Sequence, residues 1–298
     1  MGQLDGRKVA FIGLGLMGKP MARNLRAAGA EVLVHNRSKA PQEELAAEGF
    51  ATADSPAEAA RWAGAEGTVI GMVTDTPAAR RVLVDGETAV LAGIASGALV
   101  VDMGTTQVMD TREMAERFAE AGAAFVDAPV SGGQVGAEGG SLTIMAGGTD
   151  ENFARALPFF EAMGKTITHV GDVGAGQVAK SANQMIVALT LGAVGEAFAL
   201  ARRAGVDPAK VREALQGGFA GSRILELHGQ RMIDRSFTPG GRVSVQRKDV
   251  VQALALAEEV GITLPGLSRN KDLWDALIEA GHQDLDHSAL VKAIDPGW

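Results

Sequence analysis

Lys180, Asn183 and Gln184 lie in the segment Gly174-Ala175-Gly176-Gln177-Val178-Ala179-Lys180-Ser181-Ala182-Asn183-Gln184. On a helix, positions three and four apart share a face, so these three form a polar strip on an otherwise small and apolar segment. An ammonium beside an amide suits carbonyl reduction. The lysine donates a proton to the developing alkoxide, and the amide orients substrate or lysine. Burial lowers a lysine pKa toward the working range. Reduction also needs a hydride source, and the run Phe11-Ile12-Gly13-Leu14-Gly15-Leu16-Met17-Gly18 is where its carrier would sit. Gly13 permits the tight turn out of a strand, Gly15 a close approach of backbone to pyrophosphate, and Gly18 tight packing of helix on strand. The apolar stretch Lys8–Ile12 before it and the helical pattern from Lys19 to Ala28 give the glycines the context such a loop requires.

The second strand says which dinucleotide. NAD sites usually place an acid about 20 residues beyond the glycines to hold the ribose hydroxyls. Here the strand ends Val34-His35-Asn36-Arg37-Ser38 with no acid. Arg37 can pair with a 2′-phosphate in a charge-assisted contact, with Lys39 as a weaker helper, so NADP(H) is favoured over NAD(H). The expected cofactor residues are Gly13, Leu14, Gly15, Leu16, Met17, Gly18, Asn36, Arg37, Val73 at its strand end, Thr106 and Lys248.

Three further segments carry chemistry. Asp127-Ala128-Pro129-Val130-Ser131-Gly132-Gly133 follows a strand and so lies at the carboxyl edge of a sheet, where ligands bind in open α/β folds. Successive N–H groups at Ser131, Gly132 and Gly133 can form an anion nest for a substrate carboxylate. Asp102-Met103-Gly104-Thr105-Thr106 also ends a strand. Thr106 there contacts nicotinamide, ribose or substrate, or simply caps the following helix. In Arg247-Lys248-Asp249, Asp249 is placed to cap a helix and Lys248 to reach cofactor or substrate. Lys180, Asn183, Gln184, Lys248 and the Ser131–Gly133 nest make up the expected substrate contacts, with Lys180 and Asn183 catalytic.

The elements needed to position these groups are legible in the pattern. Strands are expected at Val9–Ile12, Glu31–Val34, Thr68–Val73, Ala98–Asp102, Ala123–Asp127 and Leu142–Ala146, with a short one near Ile167–Val170. Helices fall between them. Ser55-Pro56-Ala57-Glu58 is a helix start with Ser as cap, Pro at the first position and Glu reaching back, and Thr149 is another cap. Alternation of this kind predicts a mostly parallel sheet covered on both faces. From Gly171 onward only helical patterns remain. A long helix from about Gly174 to Ala204 ends at Gly205, and Asp207-Pro208 starts the next. Gly217-Gly218 and Pro239-Gly240-Gly241 are breaks, and Asp249–Gly261 and Gly266–Gly281 read as helices. A helix of about 30 residues spans roughly 45 Å, enough to bridge domains or subunits.

Composition narrows the class. A chain of 298 residues with 46% hydrophobic and 21% charged residues is a soluble globular type of roughly two domains' length. Its formal charge of −8 argues against a nucleic-acid surface. Cysteine is absent, which excludes disulfides and thiolate metal sites, and the 5 histidines show no ligand spacing, so no metal is expected. A strand beginning so near the N-terminus leaves no room for a signal peptide, which points to the cytoplasm. Met185–Ala201 imitates a membrane span. It falls short of the roughly 20 apolar residues needed, and Glu196 interrupts it, so a helix buried by protein is expected.

Taken together, these segments resemble the β-hydroxyacid dehydrogenase family almost end to end. That family includes 3-hydroxyisobutyrate dehydrogenases and tartronate semialdehyde (2-hydroxy-3-oxopropionate) reductases. The resemblance rests on Gly13–Gly18, Asp102–Thr106, Asp127–Gly133, Gly174–Gln184 and Lys248-Asp249 in that order. It implies an α/β Rossmann-type domain over 1–168, an all-helical substrate and oligomerisation domain over 169–298, and a long helix joining them. It implies Lys180 as catalytic acid/base with Asn183 beside it, substrate on Ser131–Gly133, and Thr106 and Lys248 near nicotinamide and substrate. It also implies a homodimer or homotetramer, with no membrane or nucleic-acid partner. Gly217–Ser222 and Met232–Gly240 look most like the tartronate semialdehyde reductases. Many relatives carry an aromatic two residues after Pro239, where this chain has Gly241 and then Arg242. An added arginine favours a more acidic substrate or makes an ion pair. Imine reductases share the architecture but generally lack the lysine at position 180, and phosphogluconate dehydrogenases are much longer. A non-catalytic NADP-binding scaffold is the rival class.

Overall fold

The computed structural model describes residues 2–298. By backbone proximity the chain divides into two compact units, Met1–Lys180 and Ser181–Trp298.

The first unit alternates strand and helix: β1 (Lys8–Ile12), α1 (Gly18–Ala27), β2 (Glu31–His35), α2 (Lys39–Ala47), β3 (Ala51–Thr52), α3 (Pro56–Ala63), β4 (Thr68–Gly71), α4 (Thr76–Leu83), β5 (Leu99–Asp102), α5 (Val108–Glu120), β6 (Ala124–Asp127), β7 (Val130–Ser131), α6 (Gly133–Glu138), β8 (Leu142–Gly147), α7 (Asp150–Met163) and β9 (Gly164–Gly171). The strands form one sheet in the order β3-β2-β1-β4-β5-β6-β8-β7, with β9 beside β8. Pairing is parallel except where β8 meets β6 and β7. Side chains alternate across it. Val9, Phe11, Ile70, Leu99 and Val101 face one core, while Ala10, Ile12, Val69 and Val100 face the other. Period-two alternation with both faces apolar is what a sheet covered on two sides demands.

The expected strands are all present. Two were not anticipated, β3 and β7, and each is only two residues long. The Thr68–Val73 strand ends early, at Gly71. The last strand is longer than Ile167–Val170 because β8 supplies a full partner for Gly164–Gly171. Helix starts follow the caps. Ser55 accepts from Glu58 N and Thr149 from Asn152 N. The Glu58 carboxylate reaches back one residue further than a capping box requires, to Asp54 N at 2.7 Å.

α8 (Ala175–Arg203) runs from the first unit into the second. The second unit continues with α9 (Pro208–Gln216), α10 (Arg223–Ile233), α11 (Val243–Glu259), α12 (Pro265–Glu279) and α13 (Val291–Ile294), which follows a 3₁₀ turn. Its core gathers Phe198, Leu225, Trp274 and Leu290. Asp207 caps α9 through Ala209 N, and Gly205 turns the chain with φ 76°. One expectation needs correction: α11 begins at Val243, so Asp249 lies inside the helix and caps nothing. A second concerns α8. It is long and apolar enough to cross a membrane by length and composition, and 39% of its most apolar window is buried. Ala188, Leu191 and Phe198 are enclosed, but Ile186 and Leu200 on the same helix are exposed, so the helix is only partly buried by its own chain.

Candidate active site

The glycine loop leaves β1 at the carboxyl edge of the sheet. A Cβ on Gly13 would lie 2.2 Å from Met72 O and 3.3 Å from Val73 Cγ1, and one on Gly18 would lie 1.8 Å from Gly13 O. Neither position admits a side chain. A Cβ on Gly15 would meet nothing within 4 Å, so this glycine faces open space, as a backbone that receives a phosphate must. Leu14 is buried, whereas Leu16 is exposed. Met17 precedes α1, whose first turn lacks a side-chain cap; those N–H groups suit an anion. Asn36 closes on the loop, its Oδ1 accepting from Leu14 N at 2.9 Å. Gln42 Oε1 in turn accepts from Asn36 N at 3.0 Å. Arg37 is exposed and, among the described residues, makes no ion pair. Lys39 pairs with Asp54 at 3.1 Å, which engages the helper expected beside Arg37. These features fit a dinucleotide.

Asp102 and Asp127 end β5 and β6 side by side in register. The Asp102 carboxylate accepts from Gly104 N (2.9 Å) and Thr106 Oγ1 (3.2 Å). Thr106 is therefore not the helix cap: Gln107 precedes α5, and the Thr106 hydroxyl also meets Thr111 Oγ1 at 2.8 Å. Gln177, fully buried, donates from Nε2 to Gly104 O (2.9 Å) and accepts from Thr106 N (3.1 Å). It ties the first turn of α8 to the end of β5.

Asp127 ties the same turn to β6. It accepts from Gly174 N at 2.7 Å and Gln177 N at 2.9 Å. Burial outweighs these donors and, with Asp102 adding its charge, pushes the Asp127 carboxyl up to about 6. Lys180, buried, donates from Nζ to Val130 O at 2.8 Å. The next residues are Ser131, half-buried, and Gly132 and Gly133, both exposed. The last two adopt φ of 134° and 62°, a conformation open to glycine. The lysine and the expected nest thus meet within one strand-end segment.

In the helical unit, Asn183 donates from Nδ2 to Gln184 Oε1 at 2.8 Å. Gln184 Nε2 donates to Asp249 Oδ2 at 2.5 Å, and Gln246 Nε2 to Gln184 O at 3.2 Å. Lys248 Nζ pairs with Asp249 Oδ1 at 2.9 Å. Asp249, expected to cap a helix, instead anchors the amide and the ammonium from a buried position in α11.

Histidine spacing gave no hint of a second polar cluster. Folding brings His228 and His287 to 3.3 Å, Nε2 to Nε2, beside Asp286. Asp286 Oδ1 accepts from Ser288 N and Oγ, and Oδ2 from Arg231 Nη1, Gly240 N and Gly241 N. Burial opposes ionisation of Asp286, but the hydrogen bond from His228, then the charge of His287 and the bonds from Ser288 and Gly240, outweigh it and hold the carboxyl far below its usual range. Burial first, then the neighbouring His228, pushes His287 down to about 4. With an arginine and so many donors on the carboxylate, this is the wiring of a structural anchor rather than a cation site. It also accounts for Gly241: a Cβ there would stand 3.3 Å from His287 Cε1, so the imidazole fills space an aromatic would share. Arg242 is 57% exposed and 3.7 Å from Asp284, the ion-pair alternative of its two expected roles.

Known proteins share this plan. Residues 8–171 match the family model described as the NAD binding domain of 6-phosphogluconate dehydrogenase. Residues 174–294 match the one described as NAD-binding of NADP-dependent 3-hydroxyisobutyrate dehydrogenase. The chain is 43% identical over 290 residues to 2-hydroxy-3-oxopropionate reductase of Escherichia coli (strain K12), covering 97% of both. It is 38% identical over 295 residues to 3-hydroxyisobutyrate dehydrogenase of Pseudomonas aeruginosa, covering 95% of this chain and 97% of that one. The solved structure of Mycobacterium tuberculosis 3-hydroxyisobutyrate dehydrogenase with L-serine superposes with a TM-score of 0.86 at 33% identity, covering 97% of this chain and 99% of that one.

Proposed function

Because the chain belongs to the β-hydroxyacid dehydrogenase family, and so is an NAD(P)-dependent oxidoreductase acting on CH–OH groups, we propose that it interconverts a small 3-hydroxy carboxylate and its semialdehyde with NADP(H). Tartronate semialdehyde is the favoured substrate, on the strength of the 43% identical relative, and 3-hydroxyisobutyrate the alternative. The observation that carries the reading is Lys180 Nζ, buried and 2.8 Å from Val130 O, next in sequence to the Ser131–Gly133 amides.

The nicotinamide, when bound, supplies or accepts the hydride. Ser131, Gly132 and Gly133 hold the substrate carboxylate through their N–H groups. Lys180 Nζ gives its proton to the carbonyl oxygen during reduction and takes it back during oxidation. Asn183 hydrogen-bonds beside it, and Gln184 holds Asn183. The first unit is assigned to the cofactor and also carries Ser131–Gly133 and Lys180; the second carries Asn183, Gln184 and Lys248 and is assigned to assembly. Ile186 and Leu200, exposed on α8, face a second copy in a homodimer or homotetramer.

Arg37 carries the preference for NADP(H). In Arg37→Ala the KM for NADPH rises about tenfold or more, while that for NADH changes little. Equal changes in both defeat the assignment. Steady-state rates for semialdehydes and hydroxy acids, each with NADP(H) and NAD(H), test the substrate. Tartronate semialdehyde should give the highest kcat/KM, and a higher value for methylmalonate semialdehyde would move the reading to 3-hydroxyisobutyrate.

A further inference from the structure

We propose that Asp127 and Gln177 are positioning residues for Lys180, locking the helix turn that carries it to the same strand end that receives its ammonium. This rests on the reading of Lys180 as the proton donor.

A lysine side chain has four rotatable bonds and loses much rotamer freedom when fixed. A proton donor, by contrast, has to be held within about half an ångström of its working place. Holding it requires restraint at both the backbone and the tip. The tip is held by Val130 O at 2.8 Å. The backbone is held one turn earlier. Asp127 takes the N–H groups of Gly174 and Gln177, and the Gln177 side chain spans Gly104 O and Thr106 N. Both residues are fully buried.

Asp127, Val130 and the Ser131–Gly133 amides belong to one short run of chain. One covalent segment therefore sets where the helix starts, where the ammonium ends and where the carboxylate would sit. Their mutual distances do not depend on a flexible loop.

The carboxylate itself has no room to shift. A Cβ on Gly147 would come 2.6 Å from Asp127 Oδ1, and one on Gly176 would come 2.7 Å from Oδ2 and 2.4 Å from Met145 O. Backbone from β8 and from α8 presses on it from both sides. This assigns a task to Gly176 within Gly174-Ala175-Gly176: its missing side chain admits the carboxylate that fastens the helix.

The test compares Asp127→Asn and Gln177→Met with Lys180→Ala in the full chain, using tartronate semialdehyde and NADPH. Asparagine turns one acceptor into a donor facing an N–H. Methionine keeps the length of Gln177 and removes both of its polar ends. Misplacement of about 1 Å can cost up to about 100-fold, so kcat is expected to fall roughly 10- to 100-fold in both. The KM for the semialdehyde and the Kd for NADPH should move by less than about threefold. Turnover per folded molecule, with the folded fraction taken from NADPH titration, separates positioning from lost protein. If Asp127→Asn does not fold, Gln177→Met carries the test alone. If Lys180→Ala loses turnover while both variants, or the folding one, keep kcat within about threefold of the parent, the positioning role is overturned. If Lys180→Ala itself turns over normally, the reading of the site fails instead.

Discussion

Asp127 and Asp286 are both fully buried carboxylates that collect backbone N–H groups where a helix or turn begins, yet their pKa values are displaced in opposite directions. Asp286 has Arg231 at 2.8 Å, and against the cost of burial the hydrogen bond from His228, the charge of His287 and the Ser288 hydroxyl at 2.6 Å hold it ionised far below the ordinary range. Asp127 makes no ion pair among the described residues, lies beside Asp102, and its carboxyl is pushed up to about 6. A carboxylate that only fastens a fold is best given a cation and as many donors as fit. One that fastens a helix next to a reacting ammonium has to do so with N–H dipoles alone, because an added cation would compete with the lysine for substrate and proton. The difference separates an anchor from a part of the site.

The largest effect that tests this contrast is on stability. Asp286→Ala leaves Arg231, Gly240 N, Gly241 N and Ser288 without their acceptor, and should cost about 3–5 kcal/mol. By thermal unfolding that is a fall in Tm of about 10 °C. Asp127→Asn should cost less than about 2 kcal/mol at pH 7, because it relieves a buried charge as it weakens a cap. A larger stability loss at 127 than at 286 breaks the contrast.

The second effect is its pH dependence. The Asp127 pKa near 6 lies above the ordinary 3.8, so the folded state binds the extra proton between those values. Its contribution to stability is present at acid pH and is lost as pH rises through about 6. Protonation also removes acceptor strength from the helix start, so kcat should show an acid limb with an apparent pKa near 6 that disappears in Asp127→Asn. An acid limb unchanged in that variant assigns it to another group.

A third effect comes from His287, whose pKa near 4 lies below the ordinary 6.5. The sign is opposite: stability is present above 6.5 and is lost as pH falls toward 4. His287→Gln should flatten this dependence across that window, read from Tm against pH. A steeper loss in the variant contradicts the assignment.

The contrast also marks how far the sequence could be read. The Rossmann-type sheet was legible because its strands are short apolar runs between helix caps such as Ser55 and Thr149, all local signals. The glycine loop and Lys180 were legible for the same reason: each motif is one short contiguous run of chain. The start of α11 is not legible because buried polar residues, Gln246 and Asp249, interrupt its apolar period and Arg242 provides no side-chain cap. β3 and β7 are too short to show alternation. The roles of Asp127, Gln177 and Asp249, and the meeting of His228 with His287, depend on partners far away in sequence. No spacing rule encodes them, although a buried-type glycine pair such as Gly147 and Gly176 is a trace they leave.

The most direct measurement of the central claim is the single substitution Lys180→Ala, assayed with NADPH and tartronate semialdehyde alongside cofactor binding. A proton donor held against Val130 O predicts a loss of kcat of about 100-fold or more, with the Kd for NADPH kept within about threefold. Near-normal turnover in that variant would contradict it.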